Sequence, residues 1–109
     1  MKDPTSLELI ILGAIWSLGD NAYGVTIKKR VEKLSARRLM YGTLYNVLGQ
    51  LVRKELLERS QGEPTPERGG RRKVYYRLSS DGLQAFRDAY EVQVSFWGRL
   101  AELGRIPKP

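Results

Sequence analysis

Tyr41-Gly42-Thr43-Leu44-Tyr45-Asn46-Val47-Leu48-Gly49-Gln50-Leu51-Val52-Arg53 is the stretch on which the fold turns. Val47, Leu48, Leu51 and Val52 follow Leu44 at offsets of three, four, seven and eight, so all five share one face of an α-helix. The opposite face carries Thr43, Asn46, Gln50 and Arg53, polar side chains that no core requires. Such a helix packs one side on a small domain and offers the other to a partner.

Upstream, Thr5 and Glu8 have capping-box spacing, and Leu7, Ile10, Ile11, Ala14, Ile15 and Leu18 recur at helical steps, which predicts a helix from Ser6 to Leu18. Gly19-Asp20-Asn21 is a turn signal. After Tyr23-Gly24, the positions Ile27, Val31 and Leu34 predict a short second helix with Lys28, Lys29, Arg30 and Lys33 outside. Downstream, Leu56 to Arg59 and Lys73 to Leu78 read as strands, the second alternating Val74, Tyr76 and Leu78 against Tyr75 and Arg77. Gln61 to Arg72, with Pro64, Pro66, Gly69 and Gly70, is the expected loop between them. Ser79 or Ser80 caps a final helix from about Asp81 to Leu103, ended by Gly104, Pro107 and Pro109. The expected fold class is mainly α with a small β-hairpin. A winged helix-turn-helix occupies residues 1–79, a C-terminal dimerisation helix 80–104 and a tail 105–109.

The chain's 109 residues amount to one small domain, leaving no room for a separate catalytic one. Nineteen Lys and Arg against twelve Asp and Glu give a net charge of +7, which suits a polyanion. There is no Cys and no His. Disulfides, thiol nucleophiles, imidazole or thiolate metal sites and His-based acid–base catalysis are thereby excluded, and no metal or other cofactor is expected. The longest apolar run, Leu9 to Trp16, falls far short of the roughly 20 residues of a bilayer span. No secretory pattern opens the chain, so the expectation is a cytoplasmic protein with no membrane partner.

Tyr41, Gly42, Thr43, Tyr45 and Asn46 lie in the first turns of the third helix, where side chains reach base edges and free N–H groups meet phosphate. The alternative is an ordinary solvated face with Tyr41 or Tyr45 partly in the core. Arg68, Arg71, Arg72 and Lys73 crowd around Gly69-Gly70, and Arg77 follows, with Glu67 beside them. A hairpin tip of that kind tracks a phosphate backbone or enters a narrow minor groove; the bland reading is a soluble turn. Lys28, Lys29, Arg30, Lys33, Arg37 and Arg38 form a second basic stretch, suited either to flanking phosphates or to plain solvation.

In the final helix, Leu83, Phe86, Tyr90, Trp97 and Leu100 follow a near-heptad spacing, with Ala89, Val92, Phe96 and Leu103 in a second stripe. The helix would be roughly 34 Å long and carries more apolar surface than one small domain covers. The expected dimer set is Leu83, Phe86, Tyr90, Val94, Phe96, Trp97 and Leu100. Core aromatics, or a ligand pocket around Phe96 and Trp97, are the alternatives.

Four segments together resemble the PadR family of bacterial transcription regulators, over about residues 7 to 83. They are Leu12-Gly13 with Tyr23-Gly24, Tyr41-Gly42-Thr43-Leu44-Tyr45, Gly69-Gly70-Arg71-Arg72-Lys73-Val74-Tyr75-Tyr76, and Leu78-Ser79-Ser80-Asp81-Gly82. The single C-terminal helix is similar to that of short members. The resemblance implies a homodimer, usually a repressor, holding double-stranded DNA with the third helix and the wing. It also implies, as in some members, a small aromatic effector as a candidate partner. Against this stand a winged-helix protein-interaction module and an RNA-binding protein without operator DNA. An enzyme ranks last, because the carboxylates are scattered among basic neighbours and nothing resembles a nucleophile elbow or a phosphate loop.

Overall fold

The computed structural model describes residues 3–64 and 72–107. The order is α1 (Ser6–Leu18), a 3₁₀ turn (Gly19–Asn21), α2 (Gly24–Ser35), α3 (Tyr41–Arg53), β1 (Leu57–Pro64), β2 (Arg72–Leu78) and α4 (Ser80–Glu102). It is the expected winged helix-turn-helix, mainly helical with one antiparallel hairpin and a long last helix.

Helix α1 starts at a reciprocal capping box: Glu8 N–H donates to Thr5 Oγ1 at 3.2 Å, and Thr5 N–H donates to Glu8 Oε1 at 2.8 Å. Ile11, Leu12 and Ile15 from α1, Ile27 from α2, Leu44, Leu48 and Leu51 from α3, and Leu56 are wholly buried. Each contributes roughly 1.5–3 kcal/mol by leaving water. Leu34, expected on the inner face of α2, is instead 70% exposed. The core takes only Ile27 and Val31 from that face, and the last turn of α2 ends at Ala36 in the left-handed conformation (φ 56°).

The hairpin also corrects an expectation. Strand β1 runs on to Pro64, through residues placed above in the loop, with Gln61 opposite Val74 and Pro64 opposite Arg72 across an irregularity. Gln61-Gly62-Glu63 lacks apolar alternation, so no strand signal is present there, but β2 pairs with Gln61 and Pro64 on either side of the irregularity. The Tyr75 ring covers Gly62, where a Cβ would meet it. The Arg68–Arg71 tip lies outside the described residues.

Helix α4 is seated on the domain at its first turns. Ser79 accepts from Gly82 N–H at 2.9 Å as N-cap, donates its hydroxyl to Glu55 O at 2.7 Å, and donates its N–H to Leu56 O at 3.1 Å. A Cβ on Gly82 would collide with the Leu56 carbonyl, so only glycine admits this approach. One turn further on, Phe86 packs against Gly13 of α1.

Beneath α1 the structure holds a feature that spacing alone did not reveal. Glu8 is 1% exposed and takes the Lys54 ammonium at 2.8 and 3.0 Å, tying the start of α1 to the end of α3. Burial pushes its carboxyl up, but the Lys54 hydrogen bond, the Thr5 N–H and the Lys54 charge together hold it below its ordinary value of 4.5. A carboxyl depressed in the folded state adds stability above its unfolded value and loses it as the pH falls through the folded one. Glu8→Gln is therefore expected to cost about 1–3 kcal/mol in urea unfolding at neutral pH. The gap to wild type should narrow as the pH drops below 4.5. A gap unchanged down to about pH 3 would show that the Glu8 charge contributes nothing.

Candidate nucleic-acid interface

Two helices of the domain begin with side-chain caps, Thr5 on α1 and Ser79 on α4; α3 does not. Met40 at its N-cap makes no side-chain hydrogen bond, and a Cβ at Gly42 would meet nothing within 4 Å. The first N–H groups of α3 therefore face open space at the positive end of the helix dipole, which suits a phosphate oxygen. Tyr41, Thr43, Tyr45 and Asn46 are all exposed around them, while Leu44, Val47, Leu48 and Leu51 hold the other face in the core.

Beyond its core face, the start of α3 is tied to α2 by aromatic contacts. Tyr45 lays its hydroxyl over Gly24, the first residue of α2, where any Cβ would strike it. Tyr41 stacks on Tyr45 with ring centroids 6.2 Å apart and planes at 20°. The Lys28 ammonium stands 5.3 Å from the Tyr41 centroid and donates to Glu32 Oε2 at 3.0 Å. Glu32 also accepts from Leu39 N–H at 2.7 Å, which pins the turn between α2 and α3. That N–H, followed by Lys28, holds the Glu32 carboxyl below its ordinary value.

The wing is tied to the same corner. Tyr76 N–H donates to Ala22 O at 2.9 Å, and Tyr23 forms an isolated antiparallel bridge to Tyr75. The two rings meet edge-on at 5.5 Å. Lys73 sits 4.5 Å over the Tyr23 ring and reaches its hydroxyl at 3.5 Å. A continuous path of contacts thus runs from Lys73 through Tyr23, Gly24, Tyr45 and Tyr41 to Lys28.

Of the residues singled out from sequence, Lys28, Tyr41, Gly42, Thr43, Tyr45, Asn46 and Lys73 lie at this corner or beside it. Arg68 and Arg71 lie outside the described residues. Arg72 is placed only as the first residue of β2. Arg77 is paired with Glu58 at 2.9 Å across the hairpin, and Arg30 donates to Ser17 Oγ at 2.7 Å, so both are partly committed elsewhere. Tyr23, Tyr75 and Glu32 are the members sequence reasoning missed; the Tyr23-Gly24 pair was visible, but not what rests on it.

The α4 set divides. Leu83 and Phe86 are half-buried within their own chain. Tyr90, Val94, Phe96 and Trp97 are each more than half exposed, as are Val92 and Leu103, while Leu100 is intermediate. The Phe96 and Trp97 rings pack edge-on at 4.9 Å, and the Trp97 indole N–H donates to Gln93 Oε1 at 2.8 Å. Among the described residues no cluster of three or more acidic side chains could hold a metal, and no helix is long and apolar enough to cross a membrane.

Comparison with known proteins agrees with this geometry. The profile of the transcriptional regulator PadR-like family matches residues 11–88, from the buried part of α1 to just beyond Phe86. A PadR family transcription regulator from hypervirulent Clostridium difficile R20291 has a similar fold, with a TM-score of 0.72 and 21% identity over 91% of this chain and 98% of its own. A PadR-like transcriptional regulator from Bacillus cereus strain ATCC 14579 gives a TM-score of 0.75 and 20% identity over 93% of each chain. RosR of H. salinarum reaches 30% identity over 85% of this chain and 76% of its own, with a TM-score of 0.66. Among curated proteins none matches the sequence.

The contact between Gly24 and Tyr45 can be tested by a double-mutant cycle. Gly24→Ala is expected to cost about 1–3 kcal/mol of stability by forcing the Tyr45 side chain aside. Tyr45→Leu in the same chain should recover part of that loss, giving a coupling of about 0.5 kcal/mol or more. Strictly additive losses in denaturant unfolding would show that the two residues do not meet.

Proposed function

Because the chain belongs to the PadR-like family of transcriptional regulators, and is accordingly a DNA-binding regulator and not an enzyme, we propose that it represses transcription as a homodimer seated on a palindromic operator in the cytoplasm. The observation that carries this reading is the uncapped start of α3. Its free N–H groups and exposed Thr43 and Asn46 share the domain surface with two cations held on tyrosine rings, Lys28 on Tyr41 and Lys73 on Tyr23. In this reading α3 enters the major groove, Asn46 reads a base edge and Thr43 touches base or phosphate. Tyr41, Gly42 and Tyr45 fix the register at the backbone. Lys73, with Arg68, Arg71 and Arg72 on the wing, supplies affinity that does not depend on sequence.

The dimer follows from α4. Beyond Phe86 the helix leaves its own domain, in a chain 57 Å long but only 31 × 21 Å in cross-section, and Tyr90, Val94, Phe96 and Trp97 stay uncovered. A contiguous apolar face of this kind calls for a partner, and a second copy buries the same face from both sides. The Phe96–Trp97 pair is assigned to that core rather than to a ligand. Two-fold pairing would set two α3 helices on successive major grooves about 34 Å apart.

Operator titration tests the DNA half. With four to eight phosphate contacts per dimer, log affinity should fall against log salt with a slope of about −4 to −7. Arg71→Ala with Arg72→Ala should flatten that slope by about two or more. Asn46→Ala should lose about 1–3 kcal/mol of discrimination at one half-site position while nonspecific binding holds. An unchanged slope leaves the wing a solvated turn, and equal losses on cognate and scrambled duplexes remove Asn46 as a reader.

For the dimer, Val94→Asp with Trp97→Asp touches only the exposed half of α4. The variant is expected to sediment as a monomer at micromolar concentration with its helix content intact. Operator affinity should fall by about two orders of magnitude, as the linkage between half-sites is lost. A variant that stays dimeric, or a monomeric wild type, refutes the assignment.

A further inference from the structure

Helix α3 carries a single charged residue, Arg53, in its last turn. A basic side chain there ordinarily reaches the last carbonyls and complements the negative end of the helix dipole. Arg53 turns the other way. Its guanidinium folds back and lies over Gly49, where a Cβ would stand 3.3 Å from Nη1 and 4.0 Å from Cζ and Nη2. The side chain is exposed and makes no hydrogen bond or ion pair with any described residue. By contrast, Lys28 is engaged by Glu32, Lys54 by Glu8, Arg77 by Glu58 and Arg30 by Ser17. Glycine in mid-helix weakens the helix, and here its missing side chain leaves room for the guanidinium. Gly49 follows Asn46 by three residues, a rise of about 4.5 Å on one side of α3. Without the fold-back, about 10.5 Å of helix would separate Asn46 from Arg53.

From this geometry we infer that Arg53 reads a guanine in the major groove, donating two N–H bonds to O6 and N7, beside the base that Asn46 contacts. The inference rests on the proposed function, in which α3 lies in that groove. A guanidinium is a planar fork, and guanine presents two acceptors side by side at its major-groove edge. Adenine offers N7 with a donor where guanine has O6, so it opposes the second N–H of the fork. With base pairs about 3.4 Å apart, the guanine falls about one or two pairs from the Asn46 position. No carboxylate is bonded to Arg53 among the described residues, so no ion pair there has to break before the fork turns to a base. Gly49 acts as a positioning residue, because a side chain at that place would push the fork off the face it shares with Asn46.

The probe is a library of duplexes randomised over about two helical turns. From it the protein should enrich half-sites with a fixed G·C pair next to the position that Asn46→Ala relaxes, and Arg53→Ala should free that pair alone. Replacing the guanine by 7-deazaguanine, which keeps the base pair but lacks N7, should weaken wild type about tenfold and Arg53→Ala less than about twofold. Gly49→Ala should raise the melting temperature, since alanine favours the helix, yet reduce the guanine preference by about twofold or more. If Arg53 holds a phosphate instead, Arg53→Ala weakens all duplexes alike and flattens the salt slope by about one per subunit, which overturns the inference. Equal penalties for 7-deazaguanine in wild type and Arg53→Ala, or a guanine preference untouched by Gly49→Ala, overturn it as well. A library from which nothing is enriched fails the proposed function itself, whereas enriched half-sites indifferent to Arg53 fail this inference alone.

Discussion

The tyrosine that rests on Gly24 decides more of this structure than its position suggests. Gly24 is the first residue of α2, and its missing side chain lets Tyr45 of α3 come down on the helix end. Tyr23, one residue earlier, bridges to Tyr75 and carries Lys73 on its ring. Neither contact is strong alone, since an exposed cation on an aromatic face gives about 0.5–1 kcal/mol. Their placement matters more than their sum. Two elements far apart in sequence, the exposed helix and the wing, are referred to one dipeptide, so they share a frame before any DNA is met. Ordering that a complex would otherwise have to impose is done in advance.

Helix α4 divides into halves governed by different physics. Its first turns are held against the domain by the close approach to the Leu56 carbonyl, the Ser79 cap and the Phe86–Gly13 contact. Its distal half stays exposed among the described residues and shows the polar and apolar faces of a helix still awaiting a partner. An isolated helix of that length is marginal in water, so much of its firmness must come from what it packs against.

Much of this was legible in the residues. The periodicities of α1 and α3 and the surplus apolar stripe on α4 follow from 3.6-residue geometry and could be read directly. Leu34 could not, because periodicity says which face a residue occupies but not how far the core extends beneath it. The outer half of β1 was silent for a different reason: Gln61 and Pro64 pair with Val74 and Arg72 of β2 across an irregularity, and the Tyr75 ring covers Gly62, none of which a local pattern encodes. The Glu8–Lys54 pair joins residues 46 positions apart, and spacing disclosed only the capping role of Glu8. The candidate site divided in the same way. Thr43 and Asn46 were visible as the polar face of a helix, whereas Tyr23 acts through a contact with the distant wing and Glu32 through the turn that follows its own helix.

The junction at Ser79–Gly82 has one more consequence. Glu55 just upstream sits in the left-handed region at φ 63°, where a non-glycine residue costs about 1–2 kcal/mol, and the backbone there is locked by Leu56 N–H to Leu51 O and Ser79 N–H to Leu56 O. A joint so closely bonded behaves as a welded bracket rather than a hinge. In an assembly joined through α4, the angle between a reading head and its mate would then be inherited from the bracket. Retuning such a protein to a differently spaced target would require sliding one α4 along the other by whole turns, about 5.4 Å at a time, because bending at the bracket is closed off.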